Sequence, residues 1–262
     1  MTLPGIATHT PAMTTPTDTR PFLSLQQVHT HIGPYHVLHG VDLGVSRGQL
    51  TMLLGRNGAG KTTTLRTIMG LWHASQGHIV LHNQNATHDI THLRTPQMHS
   101  LGIAYVPENM GIFADLTVQE NMLLAAHSAK REQDMSVQRL AWIFKLFPAV
   151  EKFWNYPAGK LSGGQKQMLA VARAIVEPRD LLLIDEPCKG LAPSIIDNMM
   201  EAFLQLKSSG VTLLVVEQNV YFAQALGDQV AVMDDGQVVH AGAMQAFTED
   251  IALQKQLLGL AL

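Results

Sequence analysis

Apolar positions begin to alternate at Phe22, where Leu23, Leu25 and Val28 mark an extended segment, and they alternate again over residues 37–45 through Val41 and Leu43. The two segments read as early antiparallel strands. Residues 49–54 form a short apolar strand that runs into a glycine-rich turn, and residues 61–69 then read as a helix that stops near Gly70. Strands are expected at residues 78–81 and Ile103–Val106. A mainly helical stretch follows from about residue 118 to 176, interrupted at Pro148, Pro157 and Gly163-Gly164. The rest alternates: strand Leu181–Asp185, helix 194–206, strand 211–216, helix 221–226, strands 229–233 and 237–241, and a last helix near Ile251–Leu258. Strands alternating with helices imply an α/β fold with a mainly parallel sheet covered on both faces.

A chain of 262 residues that is 46% hydrophobic can bury a substantial core as one folded unit. Residues 1–21 are rich in Thr and Pro, carry only Arg20 as a basic residue and lack the apolar run of a signal peptide, so they read as a disordered leader before an ordered domain over 22–262. No stretch approaches the ~20 apolar residues that span a bilayer, so membrane association has to run through a partner. The formal charge of -3 argues against a basic surface for nucleic acid. Cys188 is the only cysteine, which excludes an intrachain disulfide and fits the cytoplasm.

The chemistry lies in three places. Gly55-Arg56-Asn57-Gly58-Ala59-Gly60-Lys61-Thr62, followed by Thr63, fits the P-loop pattern between a strand and a helix. Its glycines let backbone N–H groups wrap a phosphate, Lys61 reaches the β and γ phosphates of a nucleotide, and the Thr62 hydroxyl is a ligand for Mg²⁺. The apolar strand Leu181–Asp185 ends in Asp185 and Glu186. With a P-loop upstream, Asp185 suits the metal shell and Glu186 the attacking water. Leu161-Ser162-Gly163-Gly164-Gln165 opens an amphipathic helix, and a hydroxyl with bare N–H groups at a helix N-terminus makes a second anion cradle. Two cradles in one chain make sense if the second serves a nucleotide held by a partner in a head-to-tail pair.

Together these motifs identify the chain as a member of the ABC ATPase family over roughly residues 22–258. The resemblance implies a P-loop NTPase of the ABC-type nucleotide-binding domain, with an antiparallel β subdomain and a helical insert at about 115–178. It further implies two ATP molecules sandwiched in a dimer. Val106-Pro107-Glu108, Ile112-Phe113, Leu116-Thr117-Val118-Gln119-Glu120-Asn121, Gly190-Leu191-Ala192-Pro193 and Val216-Glu217-Gln218-Asn219 narrow the likeness to the LivF type of ATP-binding subunit of branched-chain amino acid importers.

That likeness implies a motor subunit on the cytoplasmic face of a bacterial inner membrane. Its partners would be a second ATPase subunit, a distinct homologue, together with integral membrane permease subunits and, indirectly, an extracytoplasmic substrate-binding protein. Importers of urea, amides or small organic acids, exporter motors and soluble ABC ATPases stay open as alternatives. A soluble relative would carry two motor domains or a coiled-coil insertion, and this chain has neither.

Departures from the general family pattern are Glu108 where Gln is usual, Gln218 where the switch His is usual, and Ala192 where Asp is usual. The first two fit the LivF-like subgroup, with Glu108 and Gln218 beside Glu186 as candidate catalytic residues. The resemblance puts the adenine-stacking position at Ile32, with Tyr35 as the nearby aromatic alternative. The 13 histidines are scattered and read as no metal site, and Cys188 reads as a small residue in a turn. Trp142, Phe144, Phe147, Phe153, Trp154 and Tyr156 read as the core of the helical insert, with a share of them a candidate lining for the groove that takes a membrane-subunit helix.

Overall fold

The computed structural model describes residues 20–83, 86–127 and 136–259, so most of the leader expected over 1–21 lies outside the described residues. Just before the first strand, the Phe22 side chain is buried under the Arg47 guanidinium. Strands β1 (Leu23–Ile32) and β2 (Tyr35–Val45) pair antiparallel, as their alternation predicts. After β3 (Leu50–Gly55) and α1 (Lys61–Ile68), strand β4 (Ala74–His82) pairs with the other edge of β1, and β5 (Thr87–Asp89) closes a four-stranded sheet. Strand β4 is more than twice the expected length, because pairing with β1 extends it through the polar run Ser75-Gln76-Gly77. Strand β5 and helix α2 (Thr95–Ser100) are too short and polar to show a period in sequence.

The second sheet carries the site. Beyond β6 (Ile103–Val106), helices α3 (Val118–His127), α4 (Val137–Leu146), α5 (Pro148–Lys152) and α6 (Gly163–Ala174) pack on one side. The chain then runs through β7 (Leu181–Asp185), α7 (Pro193–Ser208), β8 (Thr212–Val216), α8 (Val220–Leu226), β9 (Gln229–Asp234), β10 (Gln237–Ala243), α9 (Met244–Glu249) and α10 (Ile251–Leu258). The strand order is β10-β9-β3-β8-β7-β6, parallel throughout except for β10, which pairs antiparallel with β9.

Strands β3, β7 and β8 are buried at every residue. Their near-continuous apolar sequence reflects two cores, one on each face. Leu50, Met52, Leu54, Leu182, Ile184, Leu213 and Val215 pack toward the helices, while Leu53, Leu181, Leu183, Leu214 and Val216 pack toward the antiparallel sheet. The parallel register sets the ends of β3, β7 and β8 side by side, with Asp185 opposite Val216 and Leu53 also opposite Val216. The functional residues gather at these carboxyl ends.

Histidines that look scattered in sequence meet through strand pairing. His29 lies opposite His39 and His31 opposite His36. The His31 and His36 rings stack at 4.2 Å between centroids, and His39 lies tilted by 50° against His36 at 4.1 Å. Desolvation under its neighbours lowers the pKa of His36 first, and the charges of His39, His31 and His29 lower it further. Burial, then Arg179, lowers that of His99. A histidine depressed below its unfolded value of 6.5 binds more protons when unfolded, so its stabilising contribution is complete above that value and is lost as pH falls through the folded pKa. The thermal unfolding midpoint should therefore drop as pH is lowered through and below 6.5, and the drop should shrink in a His36→Gln/His99→Gln variant. An equal drop in parent and variant would assign it to other groups.

Candidate nucleotide site

The P-loop leaves β3 at Gly55, which has φ +141°, and a Cβ there would sit 2.2 Å from the Met233 carbonyl oxygen of β9. Only glycine permits that approach. Gly60 caps α1 in a left-handed conformation, and Lys61 opens the helix. Lys61 is 5% exposed, and its ammonium donates to the carbonyls of Gly55 at 2.8 Å and Arg56 at 2.9 Å. Burial lowers its pKa, against the opposing pull of Glu186, Asp185 and Glu217. A cavity of about 320 Å³ opens over the loop, lined among others by Asn57, Gly58, Lys61, Thr62, Thr63, Glu108, Glu186 and Lys189. The structure thus brings the P-loop, both members of the Glu108/Glu186 pair and Lys189 to one space.

Asp185 is fully buried, and its carboxylate accepts from the Thr62 hydroxyl at 3.0 Å and from the Tyr105 hydroxyl at 3.2 Å. Burial raises its pKa, while these two donors resist the rise. Burial and the neighbouring Asp185 push Tyr105 up to about 12. The Thr62 and Asp185 oxygens form a pair of hard donors at the mouth of the loop, a chemistry that suits Mg²⁺.

Glu186 takes a left-handed backbone, φ +49°, a conformation costly for a residue with a Cβ and one that clusters at functional sites. Its N–H donates to the Val216 carbonyl at 2.9 Å. One carboxylate oxygen accepts from Gln218 Nε2 at 2.5 Å, and the other lies 3.3 Å from Lys189 Nζ. Gln218 thus reaches Glu186 directly, although the two stand 32 residues apart.

Three residues absent from the sequence-based site set build this geometry. Tyr105 holds Asp185 from the neighbouring strand. Lys189 also pairs with Glu108. The buried carboxylate of Glu217 accepts from the N–H groups of Cys188 at 2.8 Å, Gln218 at 2.9 Å and Asn219 at 3.0 Å, tying the turn after β8 to the turn after β7. The signal for Glu217 and Lys189 is topological, since both follow the carboxyl end of a parallel strand. The Cys188 thiol is buried, and burial with the adjacent Glu217 pushes its pKa far up, which leaves it unreactive.

The second cradle stands apart. Ser162 caps α6 in a capping box with Gln165, whose side chain accepts from Ser162 N at 2.9 Å. A Cβ on Gly164 would fall 2.5 Å from Ile195 Cγ2, so this glycine also allows α6 to approach the start of α7. None of Ser162, Gly163, Gly164 and Gln165 lines the P-loop cavity. A larger groove of about 700 Å³ is lined by Arg66, Trp72, Pro107, Met110 and Arg173 among others. The aromatic cluster proposed to share in such a groove lines none of it: Phe147 is buried, and Trp142, Phe144, Phe153 and Trp154 pack on the helical core, with Phe144 edge-on to Trp154. Ile32 is half-buried and Tyr35 is 73% exposed at the β1–β2 turn.

Comparison with known proteins agrees with this geometry. The ABC transporter family model matches residues 38–189. The chain is 37% identical over 217 residues to the high-affinity branched-chain amino acid transport ATP-binding protein BraG of Pseudomonas aeruginosa, covering 83% of this chain and 91% of that protein. It is 34% identical to the probable branched-chain amino acid transport ATP-binding protein LivF of Archaeoglobus fulgidus, covering 86% and 93%. The ADP conformation of MJ1267, an ATP-binding cassette of an ABC transporter, superposes with a TM-score of 0.76 at 25% identity, covering 90% of this chain and 98% of that one. A P-loop that meets Asp185 and Glu186 at the ends of parallel strands, in a chain with these relatives, makes this protein an ATP-hydrolysing member of the ABC transporter family.

Proposed function

We propose that this chain is the motor subunit of an importer for branched-chain or related amino acids, working as one half of a sandwich dimer. The observation that carries the dimer is the division of the site: the P-loop cavity contains Lys61, Thr62 and Glu186, and the Ser162–Gln165 cradle lies outside it. In this reading Lys61 holds the β and γ phosphates, with backbone N–H groups from Gly55 through Thr63 around them. Thr62 and Asp185 would hold a Mg²⁺ ion, which when bound offsets phosphate charge. Glu186 orients and deprotonates the attacking water, and Gln218 keeps its carboxylate turned toward the cavity. Ser162, Gly163, Gly164 and Gln165 face the nucleotide bound to a partner ATPase, a distinct homologue.

The domain runs over residues 22–262, with residues 115–178 as the helical insert. The groove beside Pro107 and Met110 takes a segment of an integral membrane permease, and the loop from Glu108 to Thr117 carries its motion. Asn121 supports that role by pinning the loop, since its buried amide bridges Phe113 N and O at 2.9 Å each and the Thr117 carbonyl at 3.0 Å. Among the described residues no helix is long and apolar enough to cross a membrane, so the chain joins the membrane's cytoplasmic face through the permease. The cargo assignment is supported by the names of the relatives BraG and LivF.

Co-expression tests the reading. The chain should sediment with membranes and co-purify with co-expressed permease subunits of a branched-chain amino acid importer, and its ATP turnover should rise when an amino-acid-loaded binding protein is added to the reconstituted assembly. Equal recovery from membranes with and without those subunits would remove the transport assignment and leave the ATPase.

A further inference from the structure

The P-loop cavity holds a charge arrangement in which Lys189 has no role assigned by the motifs. Two carboxylates, Glu108 from the loop after β6 and Glu186 from the end of β7, face the same space as the phosphate-binding Lys61. The general family pattern has an uncharged Gln at position 108, whereas this chain, in keeping with the LivF-like subgroup, places a carboxylate near where the terminal phosphate of ATP would sit. Lys189 stands between the two acids: its ammonium pairs with Glu108 and lies 3.3 Å from the second oxygen of Glu186. Gln218 occupies the first. The Glu186 side chain is 9% exposed and that of Lys189 59%, so Lys189 reaches from solvent onto an otherwise enclosed acid. Both acids raise the pKa of Lys189, which keeps it charged.

We propose that Lys189 is a positioning residue that lets this cavity accept a γ phosphate: it compensates Glu108 and braces Glu186, so that Glu108 and Lys189 together replace the single neutral amide of the family pattern. The proposal rests on the reading that this cavity binds ATP. Without Lys189, two carboxylates would oppose the terminal phosphate with Lys61 the remaining lysine among the residues that line the cavity, and like charges at contact distance destabilise binding. ADP ends one phosphate short of this point and should be less affected. Removing the charge of Glu108 should cancel most of the penalty, because the need for compensation goes with it.

The experiment measures equilibrium binding of ADP and of a β,γ-imido ATP analogue to the purified full chain, together with the hydrolysis rate. Lys189→Met should weaken the triphosphate about tenfold more than it weakens ADP. Lys189→Arg should stay close to the parent. Glu108→Gln/Lys189→Met should recover most of the lost triphosphate affinity. A parental ratio of triphosphate to diphosphate affinity in Lys189→Met, or a double variant no better than the single one, overturns the proposal. Failure of the underlying ATP reading looks different, because both nucleotides would then bind the Lys61→Ala variant as they bind the parent.

Discussion

Lys61→Ala should hydrolyse ATP at least about a hundredfold more slowly than the parent, equivalent to roughly 2.7 kcal/mol of lost transition-state stabilisation. The size follows from where the ammonium sits. It is nearly fully buried at the start of α1, held between two loop carbonyls, and interacts with the charges of Glu186, Asp185 and Glu217. When a triphosphate enters the cradle the ammonium exchanges carbonyl partners for phosphate oxygens, so its donors are already oriented when charge develops on the γ phosphate. Alanine leaves three carboxylates beside the phosphates with less to offset them. Measured turnover and nucleotide affinity check this, and parental values for both would remove the P-loop from the mechanism.

Glu186→Gln should lose hydrolysis by a comparable factor of about a hundred or more while still binding ATP, because Lys61, Thr62 and Asp185 are untouched. The amide keeps the shape of the side chain but cannot accept a proton from water. ATP should then accumulate a closed dimer that light scattering detects as a doubled mass, in the presence of the partner ATPase where the pair is mixed. Hydrolysis at the parental rate would falsify the assignment of Glu186 as the water-activating group.

What could be read in advance follows from how each feature is encoded. The P-loop is a contiguous stretch whose glycines, lysine and threonine all serve one turn, and β3, β7 and β8 announce themselves as short apolar runs because both their faces are buried. The bracing of the site is encoded across the sheet. Tyr105 meets Asp185 from 80 residues away, Cys188 N meets Glu217 from 29, and Lys189 meets Glu108 from 81. No local pattern carries such pairs; the strand order creates them. The histidine stack is hidden in the same way, since β1–β2 register, not spacing, brings His29, His31, His36 and His39 together. Helices α2 and α9 escaped notice because six residues are too few to establish a helical period against polar neighbours.

The strand order also sets a timetable for biosynthesis. Strand β3, which ends in the P-loop, is flanked by β8 and β9, whose residues lie more than 150 positions downstream. On a ribosome the glycine loop emerges early, but neither of the neighbours that frame it exists until most of the chain has been translated. Before then Leu50, Met52 and Leu54 lack the strands that complete their core, and Gly55 has no Met233 carbonyl to press against. The antiparallel sheet of β1, β2, β4 and β5 needs only the first ninety residues and can form first. Nascent chains stalled before β8 should therefore fail to retain nucleotide, and release of β9 from the exit tunnel is the step at which this protein becomes a nucleotide-binding one.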